Sequence, residues 1–469
     1  MTATRRPLLF LCSALLLQLL AGCAVGPDYV KPAMELPSDY REAAPWTTAQ
    51  PAAADDQSQW WTSFQDPVLN DLVDQANLAN QTIAQSEAQY REALALADAA
   101  RAGLTPTVSA GAATSRARSS GAVATAHSVS LSSSWVPDLW GGVRRSVEAG
   151  DASARASGDD LAAARLSIQS SLVQDYVQLR ALDMQSALYA RTTAAYQRSL
   201  QLVNSQYREG VALRSDLALA ENQLAAAEAE ALDLHAQRAQ LEHAIAVLTG
   251  QPPAKLQIAA LPADAGLRLT VPAIPATLPA QLLERRPDIA AAERRVAAAN
   301  ANIGVARAAW FPALSLSAGG GYSNSAMADL FNTPSRIWSL GAALSQTLFD
   351  GGLRKANDAQ AIAAYDVTVA SYKQTVLSAF QEVEDNLATL SVLDAEIAKQ
   401  QQATDAAKLA QELALKQYRA GTATYLTVVT AQATTLAGER TVASLLSRRL
   451  VASAALITGL GGNWHAPTL

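Results

Sequence analysis

Cysteine is almost absent from this sequence of 469 residues, which contains only Cys12 and Cys23. Cys12 lies inside a short apolar segment near the N-terminus, Leu8 to Leu20, which has the composition of a cleaved leader. Its removal leaves a single cysteine, so the mature chain cannot form an internal disulfide even in an oxidising compartment. Packing and hydrogen bonds must therefore hold the fold.

Histidine is equally scarce, and its four copies are scattered along the chain. His235 and His243 are eight residues apart, which is too far for them to share a metal ion on one helix without other ligands. No histidine stands at a recognised spacing from a metal ligand or a nucleophile. We therefore expect neither a metal site nor an enzymatic activity. The four are His127, His235, His243 and His465.

Aromatic residues make up only 6% of the sequence, while 50% of the residues are hydrophobic. Much of that half is alanine, which suits closely packed helices rather than a thick globular core. The net charge is −6, and removing residues 1–22 takes away two arginines and no acid, which leaves −8. That acidic balance argues against a nucleic-acid partner. After the leader, no apolar run approaches the roughly 20 residues of a transmembrane helix.

The N-terminus has the pattern of a bacterial lipoprotein leader. Arg5 and Arg6 precede the apolar run, which at 13 residues is too short to span a bilayer. The run ends in Leu20-Ala21-Gly22-Cys23, the kind of ending that a signal peptidase reads before a lipid is attached to the cysteine. We predict a signal peptide over residues 1–22 and a covalent lipid on Cys23 as the only cofactor. The alternatives are an ordinary cleaved signal, a twin-arginine signal or a fortuitous cysteine.

The residue after Cys23 indicates where such a lipoprotein would be sorted. Ala24 stands there rather than an aspartate. In bacterial lipoproteins, the absence of that aspartate implies delivery to the outer membrane, where acyl chains would hold the N-terminus.

The mature chain consists of two copies of one pattern. Three landmarks recur at offsets of 206, 210 and 211 residues, and a proline-rich stretch separates the copies. The matched landmarks are Ala100–Pro106 with Ala306–Pro312, Gly141–Arg145 with Gly351–Lys355, and Gln206–Gly210 with Gln417–Gly421. The predicted segments after the signal peptide are a lipidated N-terminal segment 23–65, a first repeat 66–250, a linker 251–279, a second repeat 280–460 and a tail 461–469.

Each repeat contains one very long predicted helix. Residues 353–420 contain neither glycine nor proline, and a helix of that length runs about 100 Å, more than a globular core needs. Apolar residues recur in it every seven positions, which specifies side-by-side helices in a left-handed supercoil. The heptad positions are Val369, Val376, Val383, Leu390 and Ile397, and Leu182, Tyr189, Tyr196 and Val203 in the first repeat. Shorter helices are predicted over 67–103, 211–249, 288–310 and 422–458, and stacked in pairs they complete a rod four helices wide.

A period of two replaces the helical pattern around residues 107–137 and 313–349, which predicts two β-hairpins. Apolar residues such as Leu131 and Leu316 alternate with serine and glycine, as in a membrane barrel with a wet lumen. Tryptophans stand near the predicted strand ends, as in an interfacial aromatic belt. They are Trp135, Trp140, Trp310 and Trp338. The alternative is a small soluble sheet with one buried face.

Four strands are too few to close a barrel, and an open edge in lipid leaves backbone groups unsatisfied. The strands of several chains must therefore be pooled. Two chains give eight strands, whose interior side chains fill, whereas three give twelve and leave room for a pore. The sequence therefore predicts a homotrimer.

Three segments of the chain are similar to a known family. They are residues 23–32 (CAVGPDYVKP), residues 60–69 (WWTSFQDPVL) and residues 282–289 (LLERRPDI) with Ala292 and Glu293. Over essentially the whole mature chain, the sequence resembles TolC-like outer-membrane efflux lipoproteins of the NodT/OprM type. The resemblance implies a mainly α fold with a small β part, in which a trimer forms a twelve-stranded transmembrane barrel and a helical tunnel across the periplasm. Residues 251–280 and the chain ends would form an equatorial belt.

The resemblance also implies a function and partners. The chain would be a passive, gated exit duct for small molecules such as drugs or other toxic compounds, in the outer membrane. A periplasmic adaptor and an inner-membrane RND-type pump would complete the system. The alternatives are an outer-membrane channel for type I protein secretion and a non-conducting coiled-coil lipoprotein that tethers membranes.

By the same resemblance, the turns at Gly210 and Gly421 lie at the periplasmic tip, where the tunnel closes. Charged and hydrogen-bonding residues beside two glycine turns suit a latch that breaks and reforms. The candidates are Tyr207, Arg208, Gly210, Arg214, Asp216, Tyr418, Arg419, Gly421, Tyr425 and Thr430. The alternative is that Asp216 only favours the start of a helix, and that Arg208 and Arg419 only favour the ends of others.

One position departs from the family pattern, and one motif agrees with it. Related channels often carry an aspartate where this chain has Thr430, so we expect no acidic ring there, although Asp216 remains a candidate for one. Arg286-Pro287-Asp288 is typical of the family, and we interpret it as a helix start with a structural role.

Overall fold

A computed structural model describes residues 24–34, 40–43, 59–119, 121–262, 269–270 and 285–462. The predicted signal peptide and Cys23 lie outside the described residues, as do parts of the linker and most of the tail. The described chain is mainly helical and contains one four-stranded antiparallel sheet.

The two repeats fold into the same succession of elements. The first contains α1 (Pro67–Ala79), α2 (Gln81–Ala102), β1 (Thr107–Ser119), β2 (Ala122–Trp135), α3 (Gly142–Arg208) and α4 (Arg214–Leu248). The second contains α5 (Pro287–Ala308), β3 (Ala313–Asn324), β4 (Arg336–Ser345), α6 (Leu353–Arg419) and α7 (Tyr425–Gly459). Both long helices have 67 residues and both return helices have 35. The internal repeat is therefore confirmed.

The helix predicted over 67–103 is divided in two at Asn80. Asn80 has an extended ψ of 127° at the end of α1, and its Oδ1 accepts hydrogen bonds from the amides of Thr82 and Ile83 at 2.9 and 3.1 Å. Its amide nitrogen donates to the carbonyl of Leu248 at 2.8 Å. An asparagine side chain that competes with the backbone in this way ends one helix and starts the next.

The seven-residue pattern marks the buried stripe of the long helices. Val203 and Val383 are fully buried, and Tyr189, Tyr196 and Val376 are nearly so. The first half of α3 also contains glycine inside the helix, at positions where α2 passes close by. A Cβ at Gly150 would lie 3.2 Å from the Cα of Ala97, so a larger residue would push the two helices apart.

The chain forms two compact units. The sheet unit contains the segment up to Met34, Ala88–Asp159 and Ala291–Gln374. The helical unit contains Glu35–Glu87, Asp160–Ala290 and Thr375–Leu469. One helix in the described ranges, α7, is long and apolar enough to cross a membrane, contrary to the expectation that no run after the leader approaches this. Of its most apolar 18 residues, 56% are buried inside the fold, as in a packed core helix.

In the sheet unit, the strands pair in chain order, β1-β2-β3-β4. Paired residues of antiparallel strands share a face, so the register shows which side chains lie together. One face carries the apolar residues in successive rows, and the other carries mainly serine and glycine. The apolar rows are Leu314 with Leu344, Trp135 with Leu316 and Ala342, Val108 with Ala318 and Leu340, and Leu131 with Trp338 through Gly320. The predicted two-faced sheet is therefore confirmed.

In the helical unit, the start of α1 is fixed to α3. Asp66 caps α1 by accepting from the amides of Val68 and Leu69 at 2.9 and 3.2 Å, and Pro67 supplies a first residue already set for a helix. The hydroxyl of Tyr176 on α3 donates to the same carboxylate at 2.8 Å. Around this hydrogen bond lies an apolar core of Trp60, Trp61, Phe64, Leu69, Leu72, Val73 and Leu172.

Candidate functional site at the two glycine turns

The long helix of each repeat ends in a left-handed glycine. Gly210 has a φ of +74° and Gly421 a φ of +73°. In each turn, the amide after the glycine donates to a carbonyl five residues earlier, that of Gln206 at 2.8 Å and that of Gln417 at 2.9 Å. A Cβ added at either glycine would meet no atom within 4 Å. The backbone conformation, rather than lack of space, is what requires glycine there.

The return helices begin beside these turns with few side-chain caps. Asp216, in the first turn of α4, accepts from the amide of Leu213 at 3.4 Å. Leucine has no acceptor to return the bond, so this is half of a capping box. At the start of α7, the hydroxyl of Thr424 lies 3.2 Å from that of Thr427 and caps no amide. Asp216 therefore has the helix-starting role that the structural alternative gave it.

One side-chain hydrogen bond joins the last turns of the two long helices. The hydroxyl of Tyr418 on α6 donates to Oε1 of Gln206 on α3 at 2.6 Å. The Tyr418 ring also packs against that of Tyr425, with 5.3 Å between centroids. Sequence reasoning selected Tyr418 but missed Gln206. The available signal was that glutamine opens the recurring Gln-Tyr-Arg-x-Gly landmark in both repeats.

Tyr425 lies in the core beneath the turns. It is 2% exposed and packs with Val203, Leu217 and Val428. Its buried hydroxyl has no hydrogen-bond partner in the part of the chain that the structure describes. Burial, assisted by the charge of Asp216, raises the pKa of Tyr425 to about 12. Burial also raises the pKa of Tyr418, so both phenols are neutral at physiological pH.

The remaining candidates lie at the surface. Tyr207 is 40% exposed, and the Arg214 guanidinium lies 6.0 Å from its ring centroid. Arg208 and Arg419 are exposed, and neither forms an ion pair with any described residue. Thr430 is exposed, and its hydroxyl donates to the carbonyl of Leu426 in its own helix at 2.9 Å. The structure therefore brings Tyr418, Tyr425 and Asp216 together and places Arg214 beside Tyr207.

The four tryptophans of the sheet unit lie at two levels. Trp135 pairs with Leu316 near the start of β3, and Trp140 stacks on Phe311 with 4.9 Å between ring centroids. Trp310 is at the same helix-proximal end, beneath the Arg354 guanidinium. Trp338 is 75% exposed and pairs with Gly320, towards the opposite, distal end of the sheet. Tryptophans at two levels are expected of a barrel that meets both interfaces of a membrane. The role of these four as interfacial anchors stays a prediction.

The segment that follows Cys23 is fastened to the helix-proximal end of the sheet unit. The amide of Val25 donates to the carbonyl of Trp140 at 3.1 Å, and Ala24 packs on Gly141, where a Cβ would come within 2.8 Å of it. A few residues later, Asp28 accepts from the buried Arg145 at 2.8 Å, and the Tyr29 hydroxyl donates to Glu293 at 2.9 Å. The N-terminal motif is therefore an attachment strap, a role that sequence reasoning did not assign.

The Arg286-Pro287-Asp288 motif has the structural role expected of it. Arg286 donates to both oxygens of Asp288 at 3.0 and 2.8 Å. Its Nη1 also donates to Glu382 at 2.7 Å and to the carbonyl of Gly459 at 2.8 Å. One guanidinium thereby links the start of α5 to the middle of α6 and the end of α7.

Known proteins resemble this chain along almost its full length. Residues 72–251 and 278–462 match the family described as "Outer membrane efflux protein". The pyoverdine export outer membrane protein OpmQ of Pseudomonas aeruginosa is 34% identical over 462 residues, which cover 96% of this chain and 95% of OpmQ. Outer membrane protein OprJ of the same organism is 32% identical over 464 residues, covering 96% and 95%. The structure of the outer-membrane channel OprN superimposes with a TM-score of 0.86 at 31% identity, covering 95% of this chain and 100% of OprN.

Proposed function

Since this chain belongs to the outer membrane efflux protein family, we propose that its two glycine turns form the closed periplasmic gate of the channel. The chain is the outer-membrane channel of a tripartite efflux pump and not an enzyme, and it has the fold of trimeric TolC-like channels. The predicted family, fold class, function and outer-membrane localisation are thereby confirmed, and the tether interpretation is set aside. Such a channel works with an adaptor and an inner-membrane pump. That the pump is of the RND type is part of our proposal.

The observation that carries the gate is the Tyr418–Gln206 hydrogen bond, which ties the ends of the two long helices together at 2.6 Å. A neutral hydrogen bond contributes about 0.5–1.5 kcal/mol net, so three of them in a trimer contribute about 1.5–4.5 kcal/mol. Inverting a two-state equilibrium from 1:99 to 99:1 takes about 5.5 kcal/mol of differential binding. Three hydrogen bonds of this combined strength can keep the gate closed, and the differential binding of an adaptor can still break them.

The gate is tested by the conductance of purified trimers in planar bilayers. Tyr418→Phe removes the bond to Gln206 but keeps the ring, and we expect the open probability to rise about fivefold for each hydrogen bond that is removed. Tyr425→Phe is the matched control, because it removes a hydroxyl from the same cluster without breaking a hydrogen bond. Equal open probabilities of wild type and Tyr418→Phe would overturn the gate.

We also propose that Arg208 and Arg419 help the adaptor to dock. Both are exposed, lie directly before the glycine turns and have no acidic partner among the described residues. Reversing both charges with Arg208→Glu and Arg419→Glu should weaken adaptor binding to purified trimers by at least about tenfold, measured by biolayer interferometry. The same reversal at the exposed Arg91 and Arg155 should have little effect. Equal losses in the two double variants would contradict a specific docking role.

We further propose that Cys23 carries the lipid anchor. The support comes from the strap: Ala24 and Val25 pack against Gly141 and Trp140, at the helix-proximal aromatic level of the sheet unit. The residue after the proposed lipid attachment point is therefore held at this aromatic level, and one strap per protomer would give a trimer three anchors.

Metabolic labelling with a radioactive fatty acid tests the anchor. Cys23→Ser should abolish the label, whereas Cys12→Ser, inside the leader, should leave it unchanged. Label retained on Cys23→Ser would refute lipidation at this residue. Normal amounts of Cys23→Ser trimer in the outer membrane would show that the lipid is dispensable for assembly.

A further inference from the structure

The charges of the sheet are all of one sign. Strands β1 to β4 contain no aspartate or glutamate, and their formal charges are Arg116, Arg118 and Arg336. The sheet also contains His127, whose Nδ1 lies 3.0 Å from the hydroxyl of Thr114. The four strands therefore carry a formal charge of +3.

The register puts these residues on the apolar face rather than the serine and glycine face. Arg336 stands two residues before Trp338, and His127 stands two before Val129, so each shares a face with its neighbour. Arg116 and Arg118 continue the series of Val108 on β1. The charges therefore lie on the side that faces lipid, where a charge at the bilayer midplane is costly.

The position of the arginines along the strands explains how the lipid-facing side can carry charge. Arg336 pairs with Tyr322, one row beyond the row of Trp338. Arg116 pairs with Thr125 and Arg118 with Val123, further still from the helix-proximal end. The arginines thus begin in the row of Val129 and Tyr322 and extend past it towards the distal end, opposite the end where the strands join the helices.

The arginine side chains are available for a partner. All three residues are exposed. None of them forms an ion pair within the described ranges, and the one acid in the β3–β4 loop, Asp329, accepts from Asn332 at 2.9 Å. An arginine at the headgroup level without a carboxylate matches phosphate oxygens in charge and in geometry.

We propose that Arg116, Arg118 and Arg336, the basic rim, bind the phosphorylated headgroups of lipids in the outer leaflet. The occupant is a phosphate-bearing glycolipid, because the rim continues the lipid-facing apolar rows and carries only positive charge. A trimer presents nine such arginines around the barrel. The inference rests on the orientation of the channel in the outer membrane and is independent of the gate.

Native mass spectrometry of purified trimers in an uncharged detergent tests the rim. The probe is bisphosphorylated lipid A, compared with the same lipid after removal of both phosphates. Wild type should bind the phosphorylated form at least about tenfold more tightly. The variant Arg116→Gln/Arg118→Gln/Arg336→Gln should lose about a hundredfold in affinity for it, from roughly 1 kcal/mol per arginine.

The matched control removes the same charge from exposed helical arginines, with Arg91→Gln/Arg155→Gln/Arg165→Gln. It should bind lipid A like wild type. Equal losses in both triple variants, or equal binding of the two lipids by wild type, would overturn the proposal. If the rim variant fails to form trimers, the corresponding triple lysine variant keeps the charge and should retain most of the affinity, and its loss would also count against the rim.

Discussion

Arginine and carboxylate side chains of the helical unit pair in two contrasting environments, one buried and one exposed. Around Asp183 they form a buried group with Arg180, Arg238 and Glu242, which we call the linker cluster. The Asp183 side chain is 1% exposed and accepts from Arg180 at 3.0 Å and from Arg238 at 2.7 Å. At the glycine turns, the Arg214–Glu221 pair is 3.8 Å apart and the Arg214 side chain is 64% exposed.

The linker cluster also takes up backbone groups of the chain between the repeats. Asp183 accepts from the amide of Leu261 at 3.3 Å, Arg238 donates to the carbonyl of Ile258 at 2.6 Å, and Glu242 accepts from the amide of Ile258. Arg180 donates to the carbonyl of Ala259 at 2.7 Å. Buried and multiply bonded, this cluster fixes the linker on α3 and α4, whereas the exposed tip holds together weakly enough to open.

The largest expected effect follows from breaking the buried side of this comparison. Asp183→Ala leaves the buried Arg180 and the partly buried Arg238 without their shared carboxylate, which should destabilise the protein by about 3–5 kcal/mol. Thermal unfolding of the detergent-solubilised trimer measures it. Glu412→Ala is the control, because it breaks the exposed pair with Lys416 at 2.6 Å, and we expect the midpoint to stay at the wild-type value. Similar midpoints for Asp183→Ala and wild type would mean that the linker is not held by this cluster.

A smaller effect is expected from straining the tip. Valine at both Gly210 and Gly421 forces a β-branched residue into a left-handed conformation, at about 1–2 kcal/mol per site. Trimers should still assemble, because a side chain at either glycine points into open space, but gating or adaptor docking should be impaired and efflux in cells reduced. Asparagine tolerates this conformation, so the double Gly→Asn variant should retain efflux. Unchanged efflux in the double valine variant would contradict the role of the turns.

The contrast between the two regions also explains which features of the structure could be predicted from the sequence. The long helices followed from residues 353–420, which lack glycine and proline, and the buried stripe followed from the spacing of Val376, Val383 and Leu390. The glycine turns were visible for the same reason, since a repeated Gln-Tyr-Arg-x-Gly ends each helix. These are local signals, fixed by backbone propensity and period.

Long-range hydrogen bonds left no such signal. The linker cluster joins Asp183 to Arg238 and to Leu261, 55 and 78 residues away, and Tyr418 reaches Gln206 across 212 positions. Nor did the sequence show that Tyr425 lies in the core rather than at the surface, or that Asn80 divides the first helix. Each depends on which helices pack together, and a single sequence does not state that.

A change of charge at the tip should alter selectivity with little effect on stability. Thr430→Asp places an exposed carboxylate on α7, three per trimer, at the position where the family resemblance led us to look for an acidic ring. The stability should stay within about 0.5 kcal/mol of wild type, as for most surface substitutions. The reversal potential in a salt gradient should shift towards cations, and the neutral isostere Thr430→Asn should not shift it. An unchanged reversal potential would place this position outside the conduction path.

The smallest effect at physiological pH is expected for Tyr425→Phe. The buried hydroxyl that it removes has no partner among the described residues, so stability at pH 7 should hardly change. The difference should appear in alkali, because the pKa of Tyr425 is raised from 10.0 to about 12. Because the pKa is higher in the folded state, the folded state binds this proton more tightly than the unfolded state does. The resulting contribution to the free energy of unfolding is complete below pH 10 and is lost as the pH rises towards 12. Near pH 11.5 the wild type should therefore have lost about 2 kcal/mol that the variant keeps. Parallel stability curves for the two proteins from about pH 8 to about pH 11.5 would mean that the phenol reaches solvent, and the tip would then be looser than its packing indicates.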